Sequence, residues 1–128
     1  MVIEIGAAII KNNNEEILIC RRPKGSHLEL LWEFAGGKKE ANESIEECII
    51  RECIEELDVE VEIISKFDEV THTYDNKNLR LHFYFCKIIN GEIRKKEHHE
   101  IAWVKKENLK NYEFCPADYD IIKKLSNI

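Results

Sequence analysis

Four carboxylates and an arginine stand at fixed intervals in the middle of this chain: Glu43, then Arg51-Glu52, then Glu55-Glu56. On a helix, positions i, i+3 and i+4 share one side, so Glu52, Glu55 and Glu56 would crowd into a wedge of roughly 100°. Each like-charged i,i+4 pair costs an isolated helix about 0.2–0.5 kcal/mol, so something must neutralise them. Oxygen donors with no His or Cys among them suit Mg²⁺ or Mn²⁺. A solvated acidic helix face is the bland reading of Glu-x-x-Glu-Glu. The preceding Gly36-Gly37 pair and the spacing to Glu43 and Arg51 favour the metal site. Arg51 could also pair at i,i+4 with Glu47 or Glu55, and both roles are compatible.

The elements that position these groups are legible nearby. Ser44-Ile-Glu-Glu47 is a capping box, in which a Ser hydroxyl and a Glu three residues on satisfy free amides at a helix start. A helix is therefore expected from about Ser44 to Leu57. Ile50, Ile54 and Leu57 fall opposite the carboxylates and are expected to face the core. Asp58 should lie just past the helix end in a left-handed conformation, where Gly is preferred. Asp tolerates that conformation at a cost on the order of 1 kcal/mol.

The segment from Gly37 to Val59 resembles the Nudix box. That pattern runs Gly, five residues, Glu, seven residues, Arg-Glu, an apolar residue, any residue, Glu-Glu, any residue, Gly and an apolar residue. Asp58 in place of the last Gly is the single departure, and it removes no ligand. The resemblance extends along nearly the whole chain and points to the MutT-like branch, which includes CTP pyrophosphohydrolase and 8-oxo-dGTP diphosphatase-type enzymes. Leu31-Trp-Glu-Phe-Ala-Gly-Gly-Lys38, Cys20-Arg21-Arg22, Glu97 six residues before Trp103, and Cys115-Pro-Ala-Asp118 carry it outside the box.

The resemblance implies Mg²⁺-dependent hydrolysis of a (deoxy)nucleoside triphosphate to monophosphate and pyrophosphate, with Mn²⁺ as a substitute. Glu52, Glu55, Glu56, Glu97 and the Gly36 carbonyl would hold the metal. Glu52 would act as base, with Arg51 and Glu43 orienting the site. Arg22, Phe34, Lys38 and Asp118 would meet the nucleotide, which is expected to carry cytosine or an oxidised base. Other readings stand beside these. Arg21 and Arg22 could be solvated loop charges, Glu97 part of a mobile charged loop, and Asp118 a helix cap. Of Trp32 and Phe34, one could stack on a base while the other fills the core. His98 and His99 could meet a phosphate, although surface His is commoner; His72 and His82 read as strand residues. The alternative functions are cleavage of a dinucleoside polyphosphate or nucleotide sugar, and a non-catalytic nucleotide-binding module.

The whole chain fits these expectations. Its 128 residues suit a single domain, 1–128, with a proper core. The composition, 44% hydrophobic and 34% charged, is that of a soluble globular protein. A net charge of −6 argues against binding a nucleic acid polymer and leaves room for a small nucleotide bound through metal. The five cysteines are odd in number and lack Cys-x-x-Cys spacing, so neither a zinc site nor a disulfide framework is suggested. Cys20, Cys48, Cys53 and Cys86 lie in apolar runs and read as buried free thiols. No signal peptide or membrane span is apparent, so the cytoplasm is the expected location. A monomer or homodimer is expected.

Along the chain, Val2 to Ile10 and Glu16 to Cys20 read as a hairpin around the Lys11-Asn-Asn-Asn14 turn. Leu30 to Phe34 reads as a short strand entering a turn at Gly36-Gly37. Strands are expected from Val59 towards Thr73, from Leu79 to Ile89 and from Ile101 to Val104. Turns are expected at Tyr74–Asn78 and Asn90-Gly91. Lys106 to Tyr112 reads as a short helix or turn. Ala117 to Ile128 reads as a helix with Ile121, Ile122 and Leu125 as its stripe. The fold class is α+β, matching the Nudix fold, a curved mixed β-sheet sandwiched between helices.

Overall fold

The computed structural model describes residues 1–128. Strands β1 (Val2–Ile10), β4 (Ala35–Lys38), β5 (Glu60–Tyr74) and β6 (Lys77–Asn90) form a mixed sheet in the order β4-β1-β6-β5. Strands β1 and β6 run parallel, and the other pairs are antiparallel. Strands β2 (Glu16–Arg21), β3 (Trp32–Glu33) and β7 (Glu100–Lys105) form a smaller antiparallel sheet in the order β3-β2-β7. Helix α1 spans Ile45–Leu57 and helix α2 spans Tyr119–Ser126.

The two faces of the mixed sheet are set by strand alternation. Ala7 and Ile9 of β1 join Leu79, Leu81 and Phe83 of β6 against Ile121, Ile122 and Leu125 of α2. Ala8 and Ile10 join Cys86 against Ile49, Cys53 and Leu57 of α1. The sheet therefore lies between the two helices, as the α+β reading required. Phe83 is fully buried, and such a side chain contributes about 1.5–3 kcal/mol by leaving water. The β5–β6 turn has Asp75 and Asn76 in the left-handed region, at φ 48° and 60°. That is the pairing a two-residue hairpin turn demands.

Several expectations are corrected. Strands β1 and β2 do not form a hairpin. Past a single bridge, Lys11 to Ile17, they part into different sheets. Both are buried along most of their length, so each serves as an inner strand of its own sheet. The strand before the glycines is only Trp32–Glu33, because Leu28 and Leu30 sit in the left-handed region and turn the chain. Gly36-Gly37 is not a turn but the middle of β4, paired with Ala7 and Gly6. A Cβ on Gly36 would lie 2.9 Å from Ala7 Cα, so the glycine permits a close backbone approach. The core face of α1 is Cys48, Ile49, Cys53 and Leu57, whereas Ile54 is exposed and Ile50 only half-buried. The cysteines serve as the small apolar anchors of this helix. All five thiols in the chain are free and buried.

Helix α1 starts and stops as its sequence demands. The Ser44 hydroxyl accepts from the Glu47 amide at 3.1 Å, and Glu47 accepts from the Ser44 amide at 2.8 Å. Asp58 ends the helix at φ 61°, ψ 33°, and its amide donates to the Ile54 carbonyl. Its carboxylate lies 3.7 Å from exposed Arg94, a contact of little energetic weight. Asp58→Gly is therefore expected to be neutral or to stabilise the protein by up to about 1 kcal/mol. Thermal melts check this; a fall of several degrees would show that the Arg94 pair outweighs the backbone strain.

Candidate active site

The Gly-Glu-Arg-Glu spacing closes into one network around Arg51. Its Nε and Nη2 donate to the two oxygens of Glu43 at 3.0 and 2.8 Å, a two-pronged pair. Its Nη1 donates to Glu52 and to Glu55, both at 3.1 Å, and Nη2 also meets the Lys38 carbonyl. Arg51, helped by the Glu40 amide, holds the Glu43 carboxyl down to about 2. Of the two i,i+4 partners open to Arg51, the pair forms with Glu55, while Glu47 is used in the cap.

The three helix carboxylates meet three environments. Glu55 is half exposed, Glu52 is partly covered, and Glu56 is buried at 7% exposure. The Gly36 amide donates to Glu56 at 3.4 Å, and burial followed by the neighbouring Glu52 pushes the Glu56 pKa upward. Glu52 lies directly over Gly37, where a Cβ would stand 2.6 Å from its Cδ. Gly37→Ala should thus swing the Glu52 carboxylate aside without unfolding the protein. We expect turnover to fall about tenfold or more, since misplacement on an ångström scale is costly in a positioned site. Activity and melting temperature measured together check this, and wild-type turnover would mean that the Glu52 position is immaterial.

A cavity of about 580 Å³ opens beside this helix face. Gly36, Lys38, Glu56 and Glu97 line one part, and Arg22, Phe34 and Asp118 also belong to its wall. Phe34 packs edge-on to Phe83 and tilted against Phe114, while Trp32 packs against Tyr112 in the core. Of the two aromatics, Phe34 is the one that reaches the cavity. Glu43, Arg51, Glu52 and Glu55 do not line the cavity and border it through the box network.

The structure gives the surroundings of the residues whose readings the sequence left open. Asp118 stands at the start of α2 but makes no capping hydrogen bond, and it is buried at 5% exposure. Burial, with the nearby Glu33 charge, pushes its pKa well above the carboxylate range. Arg22 lines the cavity with its Nε donated to the His27 carbonyl and its Nη1 to Glu33 at 3.0 Å, so it braces the loop as well. Arg21 pairs with Glu100 away from the cavity. Glu97 is exposed, but its segment is tied down. The Arg94 and Lys96 amides donate to the Leu57 and Glu56 carbonyls, and the His99 amide to that of Arg21. Those ties lay Glu97 along the end of α1, beside Glu56. His72 lines the cavity, whereas His82 sits outside it, 2.6 Å from Glu4.

One cavity residue, Glu33, escapes the sequence reading, and a second, His98, is read there only as a phosphate contact or, more commonly, a surface residue. Glu33 accepts from Arg22 through one oxygen and contacts His98 Nε2 through the other at 3.0 Å. His98 is buried at 8%, not a surface residue, because the tied-down segment folds it inward. The available signal was a lone charge, Glu33, between Trp32 and Phe34.

The chemistry of this donor set fits a hard divalent cation. A buried carboxylate, Glu56, sits next to a second, Glu52, and has no Lys or Arg among its ion-pair partners. A buried charge without compensation is costly, and a cation supplies it. With Arg51 between Glu52 and Glu55, the side chains do not converge as a ready-made group of three. Binding would therefore draw them together.

Known proteins of similar sequence and fold identify the family. The family model described as NUDIX domain matches residues 6–124. The chain is 31% identical over 126 residues to the 8-oxo-dGTP diphosphatase of Escherichia coli K12, covering 98% of each chain. It is 32% identical over 122 residues to the CTP pyrophosphohydrolase of the same organism, covering 95% of this chain and 90% of the relative. The crystal structure of the MutT protein from Methanosarcina mazei superposes with a TM-score of 0.88 over 98% of this chain and 94% of that one; at 23% identity it shares the fold. With the box helix closed on its arginine and the match running nearly end to end, the chain belongs to the Nudix family and is a hydrolase of the MutT-like kind.

Proposed function

We propose that this Nudix hydrolase cleaves (deoxy)nucleoside triphosphates to the monophosphate and pyrophosphate with Mg²⁺, and that Mn²⁺ substitutes. Nudix hydrolases generally use divalent metal, and the buried, uncompensated Glu56 beside Glu52 is the observation that carries the assignment here. The holding set is Glu52, Glu55, Glu56 and Glu97 with the Gly36 carbonyl. A divalent ion bound there supplies charge neutralisation at phosphate oxygens and a more acidic water.

The chain's own residues do the rest. Glu52, held over Gly37 and bonded to Arg51, takes the proton of the attacking water. The water oxygen bonds to the middle phosphorus. The bond from that phosphorus to the oxygen bridging the first phosphate breaks, and that oxygen leaves with the monophosphate. Arg51 and Glu43 keep the box carboxylates in place. Lys38 faces the phosphates, Arg22 meets the nucleotide beside Glu33, and Phe34 and Asp118 receive the base. Burial favours the protonated form of Asp118, and in that form it offers one hydrogen-bond donor and one acceptor, which suits cytosine or an oxidised purine. Similarity to an 8-oxo-dGTP diphosphatase and to a CTP pyrophosphohydrolase supports both base classes.

The test is a panel of normal and oxidised nucleotides with Mg²⁺, scored separately for pyrophosphate and for phosphate. Pyrophosphate release, abolished by chelator and restored by Mg²⁺ or Mn²⁺, is expected. Phosphate release alone, or full activity in excess chelator, would overturn the reading.

A further inference from the structure

His98 occupies an unusual position. Its Nε2 lies 3.0 Å from Glu33 and 3.6 Å from Glu56, between a carboxylate at the base end of the cavity and one at the box end. The hydrogen is assigned to Nε2 from its 3.0 Å approach to the Glu33 carboxylate. Its Nδ1 is buried and has no hydrogen-bond partner, the one such side-chain atom in the molecule. Leaving a ring nitrogen unpaired in the interior is unfavourable, so packing alone does not account for a histidine here. Glu33 extends the line outward through Arg22 to the His27 carbonyl. Glu56 extends it inward to the Gly36 amide.

We propose that His98 is a positioning residue that holds Glu33 and Glu56 in register, so that the base end and the metal end of the cavity are set together. The inference rests on Glu56 belonging to the metal-holding set. The single Nε2 hydrogen goes to Glu33, and Glu56, 3.6 Å away, is walled in by the ring without a hydrogen bond to it. Removing the ring frees Glu33 to turn towards Asp118 and opens space into which Glu56 can turn away from the box. One substitution then disturbs both metal affinity and base preference, although His98 is assigned contact with neither metal nor base. Residues that orient metal ligands commonly govern affinity in this manner.

The experiment uses the full chain with Mn²⁺ as probe, bound in the absence of nucleotide, together with kcat/KM for several nucleotides. His98→Ala is expected to weaken Mn²⁺ binding about tenfold or more and to change the ranking of nucleotides. His98→Gln, which returns an N–H donor near the Nε2 position, should recover both properties. Glu33→Gln should weaken Mn²⁺ binding although Glu33 lies outside the holding set, and it carries the test if His98→Ala does not fold. Wild-type Mn²⁺ affinity in folded His98→Ala or in Glu33→Gln overturns the proposal. So does equal impairment of the Ala and Gln variants, or a change in only one of the two properties. A wild-type protein that binds no Mn²⁺ would remove the site assignment itself and this inference with it.

Discussion

Replacing Glu56 by glutamine is expected to lower turnover by about 10²-fold or more, with the protein still folded. Glutamine keeps the size, the helix propensity and an acceptor for the Gly36 amide, and it deletes the charge. Positioned charge is the main resource of such a site, and losing one element of it typically costs this much. Glu55→Gln tests the exposed end of the same set, where the Arg51 pair is also weakened. Melting without metal should separate the two variants. Burial and Glu52 disfavour the charged form of Glu56, so Glu56→Gln should melt at or above the wild-type temperature. The measurement is turnover at saturating Mg²⁺ and nucleotide. Wild-type rates in both variants would remove the helix carboxylates from the chemistry.

Asp118 should control which nucleotide is preferred and should leave a mark on the pH dependence of stability. A cavity wall that reads a base by hydrogen bonds discriminates far more strongly than an apolar one. Asp118→Ala is expected to shift the ratio of kcat/KM between the best and worst nucleotides by about tenfold or more, while Mn²⁺ affinity is unchanged. An equal fall for every nucleotide, or none, would place base recognition elsewhere. The pH effect follows from burial, aided by Glu33, which raises the folded-state pKa above the unfolded value. Below the unfolded pKa both states carry the proton and nothing is lost. As pH rises between the two values, the folded state alone keeps the proton, and wild-type stability falls by about 1.4 kcal/mol per pH unit from this group. Asp118→Asn cannot titrate, so its stability relative to wild type should improve from pH 4 to pH 7. Denaturant unfolding at both values checks this, and an unchanged difference would mean that Asp118 ionises as freely folded as unfolded.

The parts of this molecule set by the sequence alone are those governed by short-range rules. Ser44 and Glu47 start α1, Asp58 ends it, and the 3.6-residue turn gathers Arg51, Glu52 and Glu55 because no distant residue is needed to do so. The α+β class, the strands at β5, β6 and β7, and the buried thiols follow from composition and alternation in the same way. Tertiary structure decided whatever depends on what a segment packs against. Two strands joined by a short turn read as a hairpin locally, but each was drawn into a different sheet by burial on both faces. Two adjacent glycines read as a turn, but their missing side chains instead let β4 approach β1 and Glu52. Ile54 fits the apolar stripe by type, yet Cys48 and Cys53 fill the narrow space against the sheet and Ile54 is left outside. The sequence placed Asp118 at a helix mouth, and only the surrounding wall showed it to be buried without a capping bond. Glu33 and His98 lie 65 residues apart in the chain. No local spacing rule joins them, because their contact exists only once β3 and the segment pinned along α1 line the same cavity.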